Sequence, residues 1–118
     1  MKGFDAESAA LTFLESRGLE LLERNYRCRT GEIDLVMKED ETLVFVEVRQ
    51  RSSDDFGGAS SSITERKKGR ILSAARHYLN RFAFIPDCRF DAVLLDGTGS
   101  IEWIRGAFRE DGRAHRFR

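Results

Sequence analysis

Ala6, Ala9, Ala10, Phe13 and Leu14 recur at three- and four-residue spacing, the period of one helix face, and Gly18 stands where a left-handed C-cap residue belongs. The pattern predicts a helix over 4–17. The period then shortens: "LELLERNYRCR" mixes apolar and polar positions, while "EIDLVM" and "TLVFVEVRQ" are mainly apolar, which predicts strands over 19–29, 32–37 and 42–50. Helical spacing returns at Ile71, Leu72, Ala75, Tyr78, Leu79 and Phe82. That second helix is entered either through a Ser62-Ile-Thr-Glu65 capping box or through an N-cap at Thr64, and Pro86 bars its continuation. "CRFDAVLL", a "DGTG" turn and "IEWIR" complete the chain as two further strands. The predicted order is α-β-β-β-α-β-β, a mixed α/β fold whose five-stranded sheet is built mostly from hairpins. "RSSDDFGGASSS", residues 51–62, reads as a loop within the domain, and the basic tail after Phe108 as loosely held.

With 118 residues, one domain spanning 1–118 is expected, large enough for one core and too small for two. Formal charge is zero, so no global field marks a binder of nucleic acid or membrane. The distribution is uneven, however. Residues 1–47 carry 6 basic and 11 acidic side chains, a net of −5, whereas 48–118 carry 14 and 9, a net of +5. The N-terminal stretch lacks the apolar core of a signal peptide, and no apolar run nears the roughly 20 residues of a membrane span, so a cytoplasmic protein with no membrane partner is expected. Cys28 and Cys88 have no metal-ligand spacing and are expected to be buried free thiols.

"GEIDLVMKEDETLVFVEVRQR", residues 31–51, sets carboxylates into an apolar run. Glu32, Asp34 and Val36 share one face of their strand; Leu43, Phe45, Glu47 and Arg49 share one face of the next. A four-residue loop over 39–42 pairs Lys38 with Leu43 and puts Asp34 directly opposite Glu47, with Cβ atoms about 5 Å apart. A two-residue loop is expected to move them to a diagonal on the same face, and only a three-residue loop or a bulge would separate them. Two such carboxylates need a cation, a shared proton or basic partners. Mg²⁺ or Mn²⁺ suits them, held by both acids and the backbone carbonyl of Val48. Arg49 could stabilise charge on a phosphate, although its fixed charge bars it from acting as a base. The competing arrangement is an ion-pair cluster, Glu47 with Arg49 or Arg27 and Asp34 with Arg29 or Arg89.

Several further residues carry candidate chemistry. Six cations, Arg66, Lys67, Lys68, Arg70, Arg76 and Arg81, stand on the second helix against the single Glu65. Lys67, Lys68 and Arg70, with Arg51 at the head of the loop, would suit phosphate-backbone contacts. Gln50 could position water or touch a phosphate. Glu7 reads from the residues alone as a surface acid favourable near a helix N-terminus. Asp91 reads as paired with a strand neighbour such as Arg29, His77 as solvent-exposed, and Trp103, Phe45 and Tyr78 as core. Tyr26 could be either core or stacking platform.

"AESAALTFLESRG", "RNYRCRTGEIDLV", "LVFVEVRQRS", "ITERKKGRI", "CRFDAVLL" and "IEWIRGAF" together resemble the uncharacterised bacterial YraN-like family, and Asp34, Glu47 and Arg49 resemble the metal site of the PD-(D/E)xK nuclease superfamily. The resemblance implies a restriction-endonuclease-like core, as in Holliday-junction resolvases, and a Mg²⁺-dependent endonuclease acting on DNA, possibly branched, as a homodimer. It implies Asp34 and Glu47 as metal carboxylates, Glu7 as the helical acid completing the site, and Lys67 as a basic residue of the second helix. It also implies that Arg49 stands where the superfamily has lysine, which favours as an alternative a nucleic-acid-binding module, or an interaction adaptor, without turnover.

Overall fold

Asp5 caps the first helix by accepting the Ser8 N–H at 3.1 Å, so α1 starts at Ala6 and runs Ala6–Ser16. The structure, a computed structural model, describes residues 5–50 and 63–108. At the far end of α1, Gly18 has φ +97° and donates to Glu15, while Leu19 donates to Leu14, the paired bonds of a Schellman stop. The sheet follows as β1 Glu20–Cys28, β2 Gly31–Glu39 and β3 Thr42–Gln50. Thr64 caps the second helix through the Lys67 N–H, giving α2 Glu65–Leu79, after which β4 Cys88–Leu95 and β5 Ile101–Phe108 close the chain. Ser62, the alternative start of the capping box, lies outside the described residues, as do the expected 51–62 loop and the tail after Phe108. Helix α2 ends before Phe82, which packs beside the core from the following turn.

The expected element order and the mixed five-stranded sheet are both present, with strands arranged β1-β2-β3-β4-β5. Three neighbouring pairs are antiparallel; β3 and β4 are parallel, joined by the crossover that contains α2. Side chains alternate between two apolar clusters. Val44, Val46, Val93 and Leu95 meet Ala10 and Leu14 of α1, while Leu43, Phe45, Phe90 and Ala92 meet Ile71, Ala75 and Tyr78 of α2. The protein is therefore a three-layer α/β/α stack, and the central strands β3 and β4 are covered on both faces.

The β2–β3 turn corrects one expectation. Only Asp40, at φ 53°, and Glu41 lie in it, yet Lys38 still pairs with Leu43. Glu39 and Thr42 add one more pair to the same ladder, so a two-residue turn here leaves Asp34 in line with Glu47 and does not shift it to a diagonal. Asp91 also has a different partner from the one expected. It is 1% exposed and takes both Arg89 guanidinium donors from its own strand, not Arg29. Cys28 and Cys88 form no disulfide, but Cys28 is half-buried and Cys88 exposed, since β4 begins at the sheet end with Cys88. Tyr26 is core, 7% exposed, and its hydroxyl bonds His77 Nδ1 on the exposed side of α2.

Helix α2 is seated on the sheet at one glycine. A Cβ on Gly31 would lie 1.9 Å from the Arg70 carbonyl oxygen, an atom of backbone that cannot rotate aside. Gly31→Ala is therefore expected to lift α2 and cost about 1–3 kcal/mol, read as a lowered thermal midpoint. A change below 0.5 kcal/mol, on the scale of ordinary surface substitutions, would mean that the helix does not depend on that close approach.

Candidate active site

Strand alternation breaks beside the two carboxylates, and that break makes the site. Ile33 and Leu35 are two residues apart on β2 yet enter opposite apolar clusters. On β1, Arg24 bonds Glu7 of α1 while Tyr26 packs under α2, and the residue between them, Asn25, has φ 53°. Asp34 sits level with Asn25, between the Arg24–Leu35 and Tyr26–Ile33 pairs. The β2–β3 ladder runs only as far as Leu35–Val46. Beyond it, Asp34 Oδ2 accepts the Val48 N–H at 2.8 Å, so a side chain replaces the ladder bond lost where the strands part.

Glu47 lies on the α2 face, 7% exposed, with Lys67 Nζ 3.2 Å from its Oε2. The ammonium comes from the first turn of α2, which the crossover returns beside the end of β3. Burial, then the neighbouring Asp34 charge, pushes the Glu47 carboxyl up to about 7 despite Lys67. Burial likewise raises Asp34; the Val48 N–H and a hydrogen bond shared with Glu47 oppose the rise, and the Glu7 charge adds to it. The pair thus retains a proton near neutrality that a divalent cation could displace. An oxygen-only donor set at the end of a central strand fits a hard ion that fills its shell with water and phosphate.

The other expected site residues divide into groups. Glu7 is close enough for its charge to reach Asp34, but its Oε1 is held by Arg24 at 2.8 Å and Asn25 at 3.0 Å. Among the described residues no group of three Asp, Glu, His or Cys side chains gathers, so Asp34 and Glu47 stand as a pair. Val48 is the residue whose N–H fixes Asp34; Arg49 is half-buried two positions beyond Glu47, and Gln50 is exposed at the strand end. Of the expected phosphate contacts, Lys67 is on the carboxylate itself, Lys68 pairs with Glu65 at 3.2 Å, and Arg70 is exposed. Arg51 lies outside the described residues. In the competing ion-pair cluster, Arg27 and Arg89 have other partners: Arg27 turns to Glu32, and Arg89 to Glu39 and Asp91. Sequence reasoning missed Arg24 and Asn25, the tethers of Glu7. Asn is a residue that tolerates positive φ, and its presence inside a strand was the available signal.

Fold and site together define a three-layer α/β/α protein with a pair of neighbouring carboxylates where the β2–β3 ladder ends. Residues 6–95 match the family described as "Uncharacterised protein family UPF0102". The chain belongs to that family, which bears out the YraN-like resemblance. It is 60% identical over 111 residues to a UPF0102 protein of Nitrosomonas europaea, covering 92% of this chain and 94% of the relative. A UPF0102 protein of Nitrosospira multiformis is 56% identical over 110 residues, with 92% of each chain covered. One of Cupriavidus necator is 54% identical over 112 residues, covering 94% and 85%. Among the described residues no helix is long and apolar enough to cross a membrane.

Proposed function

We propose that this protein is a divalent-metal-dependent nuclease of the restriction-endonuclease-like, PD-(D/E)xK class, acting on DNA and most readily on a branched form. The observation that carries the reading is the Asp34–Glu47 pair where the β2–β3 ladder ends: Glu47 is buried with the Lys67 ammonium 3.2 Å away, and Asp34 is half-buried on the Val48 N–H. Asp34, Glu47 and the Val48 carbonyl would hold Mg²⁺ or Mn²⁺, which when bound neutralises phosphate charge and acidifies a water molecule. Lys67 restrains the Glu47 carboxylate and adds a fixed positive charge beside it. This ammonium compensates for the superfamily lysine that Arg49 replaces, leaving Arg49 to steady the scissile phosphate and Gln50 to orient a water or phosphate oxygen at the open end. Glu7, tethered by Arg24 and Asn25, supplies a second layer of negative charge behind Asp34. A cytoplasmic location and a homodimer that sets two sites against one duplex belong to the same proposal.

Cleavage of single-stranded, duplex and four-way-junction DNA with Mg²⁺ or Mn²⁺ tests it. Asp34→Ala and Glu47→Ala are each expected to lower the rate roughly a thousandfold, the worth of several kcal/mol of charge stabilisation. No cleavage of any substrate with either ion would sink the enzyme reading. Arg49 in the lysine position favours one alternative, a nucleic-acid-binding module without turnover. Binding that persists in Glu47→Ala and falls steeply with salt, with no cleavage by the unaltered chain, would select it.

A further inference from the structure

A second polar cleft opens on the α2 side of the sheet, between the β1–β2 turn and the C-terminal half of α2. It encloses about 480 Å³ and is lined by Arg29, Thr30, Ser73, Arg76, His77 and Asn80. These side chains offer guanidinium, amide and hydroxyl donors, and no carboxylate lines the cleft. Several cations on this side already have acidic partners: Arg81 with Glu23, Lys67 with Glu47 and Lys68 with Glu65. Arg29 and Arg76 are exposed and have no acidic partner among the described residues. Two unmatched guanidiniums facing one donor-lined hollow are suited to phosphoryl oxygens.

The walls are held in place before any ligand arrives. Thr30 Oγ1 bonds Ser73 Oγ across the cleft, Tyr26 bonds His77 from below, and Gly31 lets the Arg70 carbonyl rest on the turn. Helix α2 joins this cleft to the carboxylate pair. Lys67 is at Glu47, exposed Arg70 lies between, and Arg76 follows nine residues after Lys67, about 14 Å along a helix rising 1.5 Å per residue. At about 3.4 Å of duplex axis per base pair, that length matches roughly four base pairs when α2 lies along the axis.

We propose that this cleft is a distal phosphate subsite, gripping the nucleic-acid backbone about 14 Å along α2 from the phosphate held at Asp34 and Glu47. It rests on the nuclease-fold reading of that pair and adds a direction to it, with the bound strand following α2 from its N-terminus to Asn80. Backbone contacts of this kind carry no sequence preference; they fix register.

The experiment measures binding of a fluorescein-labelled 20-nucleotide DNA, single-stranded and duplex, by anisotropy over a salt series in EDTA. The unaltered chain and Arg29→Ala/Arg76→Ala are compared, with inorganic phosphate titrated separately against the His77 ring signals by NMR. Loss of about tenfold in affinity and of about 1.5 in the log–log salt slope is expected for the double variant, at about 0.7–0.9 per phosphate contact. If the unaltered chain binds and the double variant binds equally well with the same slope, the subsite is overturned while the nuclease reading stands. Should millimolar phosphate shift the His77 signals while the double variant keeps its DNA affinity, the cleft is a free-phosphate site and the proposal fails. If the unaltered chain binds neither DNA form, the subsite is overturned, while the nuclease reading is decided by the cleavage assay.

Discussion

Replacing Asp91 with alanine is expected to cost about 3–5 kcal/mol, the loss typical of breaking a buried charge network by removing one partner. Asp91 accepts Arg89 Nε and Nη2 at 2.9 and 3.1 Å, Trp103 Nε1 at 2.9 Å and the Gly106 N–H at 2.9 Å. Its carboxylate fills the irregularity where the β4–β5 register shifts between Phe90 and Ala92, and Gly106 turns through φ 62° to present its N–H. Alanine would strand those donors and leave Arg89 and Arg105 sharing Glu39 alone. For a chain of this size the thermal midpoint should fall by roughly 10–20 °C in circular dichroism. Trp103 meets Phe13 of α1 edge-on with centroids 6.1 Å apart, so the network braces the face opposite Lys67 and Glu47. Metal affinity of Asp91→Ala, measured well below its midpoint, should therefore stay within a few-fold of the parent. A loss of stability under 1 kcal/mol would show that the charges contribute no more than an exposed pair does.

What the sequence made legible follows from what each pattern reports. A helix buries one face, so the spacing of Ala10 and Leu14, and of Ile71, Ala75 and Tyr78, located α1 and α2; Gly18 marked the end of the first and Thr64 the start of the second, whereas the Asp5 cap lay inside the expected helix over 4–17. Parity put Asp34 in line with Glu47 because a turn centred on Asp40 and Glu41 keeps one register whether two or four residues are left outside the ladder. Strand ends were less legible: Gly31, Lys38 and Glu39 belong to β2 through backbone pairing, which side-chain polarity does not report. Nothing local announces that the alternation breaks at Asn25 and Asp34, since the break depends on α1 and α2 pulling neighbouring side chains to opposite faces. Lys67 was legible as a cation and not as the partner of Glu47. Its contact spans 20 positions of sequence and exists only because β3 and β4 are parallel, so that the crossover helix must start at the end where β3 stops.

Glu47→Gln is expected to stabilise the metal-free protein at pH 8 by about 3 kcal/mol while abolishing its response to Mn²⁺. In the folded chain burial and the Asp34 charge hold the Glu47 carboxyl up to about 7, against an ordinary value of 4.5. Between those values the folded state keeps a proton that the unfolded chain has released, so it binds more protons and its stability falls as pH rises. Below 4.5 both states are protonated and nothing is lost; above about 7 both are ionised and the loss is complete. Glutamine imitates the protonated carboxyl and removes this slope, while Lys67, whose side chain is 36% exposed, can return to water. The stability gap between variant and parent should thus be near zero at pH 4, open through 4.5–7 and stay constant above, in urea titrations with EDTA present. Taking the difference cancels the acids that stabilise with rising pH, such as Glu39 beside Arg89 and Arg105. Mn²⁺ at a hundred times its dissociation constant should return about 2.7 kcal/mol to the parent and nothing to the variant. A gap independent of pH would mean that Glu47 ionises without strain and has no need of a cation. A gap that opens with pH but is untouched by Mg²⁺ and Mn²⁺ would instead leave Lys67 as the counter-ion of a site whose chemistry lies in binding alone.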